Sequence, residues 1–367
     1  MGNDITYVGM DDHKKSIYLA VLLPSGELLE WQIANEARAI RRMVKKLHKV
    51  VVGEVQCCYE AGPCGFVLQR RLEQLGVSCQ VMAPSRTPKR PGARIKTNRR
   101  DAMELAKLLR GGLLEEVFPP TVQQEADREL CRCRETLQRD LTRARHRVTK
   151  FLLRRGCNYN QGRNWTERHR RWLKQIQMEQ EQDQQVLDCY VWAVEQLEQQ
   201  VVHLKEKLVE LSEQPEYEEA VGALRCFRGI ETLTAITLVC ELYSFGRFGS
   251  ARGLMNFLGV VPGEKSTGEK EIRTGITKAG NTHARRLLVE TSWHYRHRPA
   301  VGKVLERRRI GQPSEVIAHA DKAMLRLHRR YWKLVMAGKA SNKAVVAVAR
   351  ELAGFLWAVL YRQASVA

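Results

Sequence analysis

The first 110 residues alternate apolar runs and amphipathic stretches in an order that few folds accept. Residues 5–12, 16–23 and 27–34 read as three consecutive strands, parted by turn signals at Lys14-Lys15 and Pro24-Ser-Gly26. A helix is predicted from about Glu36 to Val50, a strand at 54–60, and a helix at about 65–75 that stops at Gly76. A strand at 77–82 and a helix at about 98–110 complete the set. Three acids punctuate this order. Asp11 closes the run Ile5-Thr-Tyr-Val-Gly-Met-Asp-Asp12, and Glu60 ends Val55-Gln-Cys-Cys-Tyr-Glu60. Asp101 sits in the basic stretch Lys96-Thr-Asn-Arg-Arg-Asp101-Ala-Met-Glu104. A carboxylate that closes a buried strand is costly unless it meets something positive. Three that converge suit a divalent cation working on phosphate.

The order βββαβαβα is the ribonuclease-H-like pattern, which gathers acids from the first strand, the fourth strand and a late helix into one metal site. Asp11, Glu60 and Asp101 fall on those three elements. Alternation sends neighbouring Asp12 to the opposite face, and the apolar neighbours Val8 and Met10 do not decide which of the two acids faces the site. Glu60 has a structural alternative, capping the helix after Gly62-Pro63. On the late helix Asn98, Asp101 and Glu104 are three apart and share a face. Asn98 offers a neutral carbonyl oxygen, and Glu104 a further carboxylate.

Charge points to the partner. Lys plus Arg number 61 against 41 Asp plus Glu, a formal net charge of +20 on 367 residues. The excess is clustered in 86–100, in 139–155 and in 163–174. Clusters this dense favour a polyanionic partner, and nucleic acid is the expected one. Arg94, Lys96, Arg99, Arg100, Arg147, Arg154, Arg155, Arg170 and Arg171 are the basic candidates there, with Lys278, Asn281 and Arg285 further on. The ten cysteines show no metal spacing and read as reduced, mainly packing thiols. No signal peptide or transmembrane segment is expected, and a cytoplasmic, nucleoid-associated protein with no membrane partner follows.

From Val122 the chain turns helical. Heptad spacing at Leu187, Tyr190, Val194, Leu197, Val201, Leu204, Leu208 and Leu211 predicts a helical hairpin or coiled coil, with a dimer interface and packing on its own domain as the two alternatives. Gly156-Cys-Asn-Tyr-Asn-Gln-Gly162 is a loop, and Trp165 and Trp172 follow among arginines, a composition suited to stacking on unpaired bases or to one buried helix face. A second globular domain starts near Glu218, where Phe227-Arg-Gly-Ile-Glu-Thr232 has the look of a helix-hairpin-helix turn. Pro262 to Glu271 reads as a mobile loop carrying Ser266 and Thr267, and Ser250 as the N-cap of a helix starting at Ala251. The predicted class is α/β plus all-α. Its parts are residues 1–120 as a ribonuclease-H/RuvC-like catalytic domain and 121–217 as a helical, nucleic-acid-binding and dimerising region. Residues 218–300 form a mainly helical domain, and 301–367 a basic helical tail.

Gly9-Met-Asp11-Asp-His-Lys-Lys15, Tyr59-Glu60-Ala-Gly-Pro63 and Lys96-Thr-Asn-Arg-Arg-Asp-Ala102 together resemble the transposases of insertion-sequence family one-ten, DEDD recombinases related to the Piv and MooV invertases. Phe151-Leu-Leu-Arg-Arg-Gly156 with Trp165 to Trp172 is similar to the family's middle region. Phe248-Gly-Ser-Ala-Arg252, Phe257-Leu-Gly-Val-Val-Pro262, Ser266-Thr-Gly268, Gly275-Ile-Thr-Lys-Ala-Gly-Asn281 and His294-Tyr-Arg-His-Arg-Pro299 resemble its C-terminal transposase domain. The resemblance implies a Mg2+ site, with Mn2+ as substitute, built from Asp11, Glu60 and Asp101 as the first, second and fourth family acids. Asn98 stands where the third acid usually stands, and Glu104 is the residue able to compensate. It implies a serine nucleophile, Ser266 with Thr267 as the other hydroxyl on offer. It also implies a structured non-coding guide RNA, double-stranded donor and target DNA, and a homodimer assembling to a homotetramer. A metal-dependent junction nuclease would need the acids alone, and a nucleic-acid-binding remnant would need neither.

Overall fold

The computed structural model describes residues 5–51, 53–88, 97–267 and 270–364, without the side chains of 265–267, 270, 271, 273 and 362–364. The chain divides into two compact units, Met1–Pro120 and Thr121–Ala367.

The first unit is built on a sheet of β1 (Ile5–Asp12), β2 (Ser16–Leu22), β3 (Leu28–Ala34), β4 (Glu54–Glu60) and β5 (Ser78–Met82), with helices α1 (Ala37–Val50), α2 (Val67–Gln74) and α3 (Asn98–Arg110). The strand order is β3-β2-β1-β4-β5. The first three strands are antiparallel, while β4 and β5 run parallel to β1. Parity sorts the side chains. Val8 and Met10 of β1 and Cys57 and Tyr59 of β4 enter one core with Ile40, Met43, Val44 and Leu47 of α1 and Leu68 and Leu72 of α2. Tyr7 and Cys58, of the other parity, meet Leu105 and Leu109 of α3 on the opposite face. The spacing 40, 43, 44, 47 is one helical stripe, which is why α1 lies flat on the sheet.

The second unit contains α4 (Val122–Arg154), α5 (Glu167–Gln175), α6 (Glu181–Ser212), α7 (Pro215–Arg225), α8 (Thr232–Leu242) and α9 (Ala251–Phe257). A hairpin of β6 (Pro262–Thr267) and β7 (Lys270–Ile276) follows. Then come α10 (Thr282–Ser292), a 3-10 turn at Trp293–Arg296, α11 (Lys303–Arg309), α12 (Ser314–Met336) and α13 (Ser341–Ala364). A reciprocal capping box between Thr121 and Gln124 starts α4. The heptad stripe of α6 is spent inside the chain. Leu187, Val194, Val201 and Leu208 are 0–2% exposed, and the first three pack with Leu141, Ala144, Val148, Phe151 and Leu152 of α4. Arg155 pairs with Asp183 and Arg145 with Glu198, so the two helices run antiparallel.

Helices α12 and α13 do not form an appendage. Leu327 and Tyr331 of α12 and Val345, Val348, Leu352 and Leu356 of α13 share one core with α7, α8, α9 and α10. Although no membrane-length segment was expected, Ser341–Tyr361 is long and apolar enough to cross a membrane by length and composition, and half of it is buried in the structure. The stretch expected as a mobile loop, Pro262 to Glu271, is strand on both sides of Gly268-Glu269. Register pairs Ser266 with Glu271 and Thr267 with Lys270, an antiparallel ladder that the polar composition concealed.

Candidate active site

The site in the first unit begins with a glycine. A Cβ on Gly9 would lie 2.1 Å from the Ala102 carbonyl oxygen and 2.5 Å from the Ala106 nitrogen. Only glycine lets α3 rest its backbone on β1 here. Ala102 and Ala106 complete the close approach, both at 0% exposure. Tyr7 touches the cluster around Leu109, and Gly9 the turn 102–106. Two residues further along β1, Asp11 is therefore carried toward the first turn of α3, where Asp101 stands on one stripe with Leu105.

Parity settles which acid faces α3. Asp11 shares the face of Tyr7 and Gly9, and Asp12 that of Val8 and Met10. Asp12 accepts a 2.7 Å hydrogen bond from the Asn35 amide, and burial raises its carboxyl above the usual range against the hydrogen bond of Cys64. Glu60 has the parity of Cys58 and follows Tyr59, the register partner of Met10. Asp11 and Glu60 are thus neighbours across the parallel β1–β4 ladder, on the face that α3 covers. Glu60 caps no helix, because α2 starts at Val67 with Phe66 at its N-cap and no side-chain cap bond. Thr97 caps α3 by accepting from the Arg100 amide, and Asp101 lies in the first turn, where the helix dipole favours a negative charge. Asn98 is exposed, and Asp101 and Glu104 are half-buried.

Asp11 is within 3.0 Å of His13 Nε2. Among the described residues no three Asp, Glu, His or Cys side chains stand close enough together to hold a metal ion. The donor chemistry nevertheless fits a hard divalent cation: oxygen ligands only, two from adjacent strands and one from the helix above them.

The second unit positions the β6–β7 hairpin from its base. Thr277 donates to the Val261 carbonyl at 2.9 Å, Lys278 to Gly259 at 3.1 Å and Asn281 to Phe257 at 3.1 Å. Gly280, at φ 73°, would put a Cβ 1.9 Å from the Phe257 oxygen, so both legs meet backbone to backbone. Arg285 donates to Leu258 and Ala279, one carbonyl on each leg, at 2.9 and 3.0 Å. Asn281 caps α10 through Ala284 N and donates to Glu241 at 2.7 Å. Glu241 is 1% exposed and receives two hydrogen bonds from Arg132, at 2.8 and 2.9 Å. Burial opposes its charge, yet Arg132 and Asn281 hold the carboxyl below the usual range. Beside it Glu135 meets His283 at 2.6 Å and also pairs with Arg286. Sequence reading missed this network. Its one signal is Glu241 itself, a lone acid in the apolar run Ala235 to Leu242.

The basic candidates divide in two. Arg99 pairs with Glu30, Arg155 with Asp183, and Arg170 with Glu198, which also takes Arg145. Trp165 lies before α5 at φ 65°, half-buried in a cluster with Trp172, edge-on to His169 and beneath Arg145. These residues, with Asn281 and Arg285, have partners within the fold, although Arg99 and Arg155 stay exposed. Arg100, Arg147, Arg154, Arg171 and Lys278 are exposed, and Arg94 and Lys96 lie outside the described residues. Ser266 and Thr267 sit on β6 of the hairpin, with side chains outside the described set. Ser250 caps α9 by accepting from Gly253 at 3.1 Å.

A ribonuclease-H-like sheet with acids under a late helix, followed by a helical unit, defines a class of nucleic-acid-processing enzyme. The comparisons give the family. A DEDD-type IS110 transposase model matches residues 8–155, and one described as transposase IS116/IS110/IS902 family matches residues 222–304. A Sinorhizobium fredii protein named as a candidate transposase, y4qE, is 41% identical over 96% of this chain and 88% of its own length. The transposase for insertion sequence element IS1533 of Leptospira borgpetersenii is 36% identical over 89% of this chain and 96% of its own. The transposase for element IS1111A of Coxiella burnetii is 23% identical over 98% and 91%. The chain belongs to the IS110 family of insertion-sequence transposases. It is an enzyme of DNA strand cleavage and transfer, and its DEDD-type domain points to dependence on a divalent metal.

Proposed function

We propose that this transposase is an RNA-guided, site-specific recombinase that joins an acidic metal site to a serine nucleophile. The observation that carries the reading is the placement of Asp11 and Glu60 side by side on the face covered by α3, with Asp101 in the first turn of that helix. Asp11, Glu60 and Asp101 would hold Mg2+, or Mn2+ in its place, with Glu104 or the Asn98 carbonyl able to complete the set. When bound, the metal supplies charge neutralisation at the scissile phosphodiester.

Ser266 attacks phosphorus through Oγ. A serine–phosphate ester forms, the ester bond to the departing strand breaks, and the serine proton ends on the departing hydroxyl. A primary hydroxyl attacks with less hindrance than a secondary one. A net charge of +20 gives the protein two polyanions to hold, a structured guide RNA as well as donor and target DNA, in an assembly of two and then four copies.

Excision assays with Mg2+, with Mn2+ and with chelator test the acidic site. Asp11→Asn, Glu60→Gln and Asp101→Asn should each abolish junction formation, and unchanged activity in Asp11→Asn refutes the site. Sequencing RNA that co-purifies with the protein should return one discrete transcript, and random fragments argue against a guide.

A further inference from the structure

Four exposed arginines and one exposed lysine on α4 lie in line. Arg139, Arg143, Arg147, Lys150 and Arg154 follow the spacing four, four, three, four. At 3.6 residues per turn they occupy an arc of about 80° and run for about 22 Å. The opposite side of the helix is the buried stripe Leu141, Ala144, Val148, Phe151 and Leu152. The row therefore points away from α6.

A solvated helix face would be expected to interleave acids, because like charges three and four apart destabilise a helix. Here only Arg143 has an acid, Asp140, three residues away and itself exposed, a contact worth little. The other four make no ion pair among the described residues. Cations that face α6 are matched: half-buried Arg145 has Glu198, and Arg155, exposed at the C-cap, has Asp183. Carboxylates thus meet the cations that reach across to α6, and are absent along one outer line.

We infer that this line is a docking rail for the sugar–phosphate backbone of duplex DNA. Along the rail the cations step by about 4.5 to 6 Å of helix axis, dense enough to meet the phosphates of a backbone laid across them, and a straight helix of this length suits a duplex that is stiff over a much longer span. The inference rests on the recombinase reading only for the choice of DNA, not on the acids or Ser266. It adds Arg139, Arg143 and Lys150 to the exposed candidates, and the clamp of Arg155 onto Asp183 leaves that residue out.

The test is fluorescence anisotropy of a labelled DNA duplex with the full-length protein across a salt series. All five cations are changed to Gln in one variant. Because the side chains are exposed, thermal unfolding should match wild type. A milder double variant, Arg147→Gln with Arg154→Gln, serves if the full set fails to fold. Five lost phosphate contacts should flatten the log–log salt slope by about 4.5, so that wild type loses ~500-fold more affinity than the variant between 50 and 200 mM salt; the double variant should flatten it by about 1.8. The control removes equal charge from exposed Lys322, Arg329, Lys333, Lys339 and Lys343. An equal slope change in the control shows net charge alone and overturns the rail. So does an unchanged slope in the rail variant, or a change seen only with a structured RNA in place of the duplex. Because binding needs neither acids nor serine, inactive Asp11→Asn and Ser266→Ala proteins should keep the wild-type slope.

Discussion

Gly9→Ala tests how α3 is held over the acids. The new Cβ would stand 2.1 Å from the Ala102 oxygen and 2.5 Å from the Ala106 nitrogen, and both are backbone atoms of one helix. Ordinary contact at about 3.4 Å requires α3 to withdraw by roughly 1 Å, since neither atom can rotate aside. Overpacking of this kind costs about 1–3 kcal/mol, or ~5–10 °C in the melting of a unit this size. The larger effect should be on chemistry, because an ångström of misplacement costs ~100-fold in rate and Asp101 rides on the displaced turn. Thermal unfolding and a quantitative excision assay on the same preparation separate the two effects. Gly222→Ala is the control: its Cβ meets only the end of the Gln312 side chain, at 2.7 Å, which can swing away. A Gly9→Ala protein with wild-type melting and wild-type excision would refute the packing argument.

Other outcomes follow from the second unit. Arg132→Ala strands the buried Glu241 carboxylate and should destabilise the fold by ~3–5 kcal/mol in urea unfolding. The Glu241 carboxyl is held below its ordinary range, so its stabilising contribution is complete above that range and lost as pH falls through the lowered value. Glu241→Gln should therefore be less stable than wild type at neutral pH, with the gap narrowing on acidification below about pH 4. Gly280→Ala, at φ 73° and facing the Phe257 oxygen, should open the hairpin base. Hydrogen exchange at the Lys278 and Asn281 amides should rise sharply, and strand transfer should fall while binding of duplex DNA is kept.

Much of the first unit is legible in the sequence. Strands buried on both faces read as continuous apolar runs, and β1 and β4 begin and end where those runs do. Which of Asp11 and Asp12 faces the site is not legible, because Val8 and Met10 show that one face is apolar while Gly9 hides the other. Only the contact with Ala102 reveals that a glycine face can be as buried as a valine face. In the second unit the heptad of α6 is plain, but its partner is not, since a stripe of leucines fits α4 of the same chain as well as α6 of another. The β6–β7 hairpin is concealed by charge: Glu264, Lys265, Lys270 and Glu271 read as loop, yet all four stand in an antiparallel ladder. The arginines show the same limit. Sequence counts Arg145, Arg147, Arg154 and Arg155 alike, and only the positions of Glu198 and Asp183 divide those with an acid partner from those without one among the described residues.

The most direct measurement of the proposed serine chemistry traps its covalent intermediate. A labelled donor duplex with a nick that prevents religation is incubated with protein, guide RNA and Mg2+, and the DNA-linked peptide is sequenced by mass spectrometry. The serine mechanism predicts one adduct, a nucleotide on Ser266, absent in Ser266→Ala and absent again in Asp11→Asn. Cleavage with free ends in Ser266→Ala, or an adduct that maps elsewhere in the chain, would contradict it.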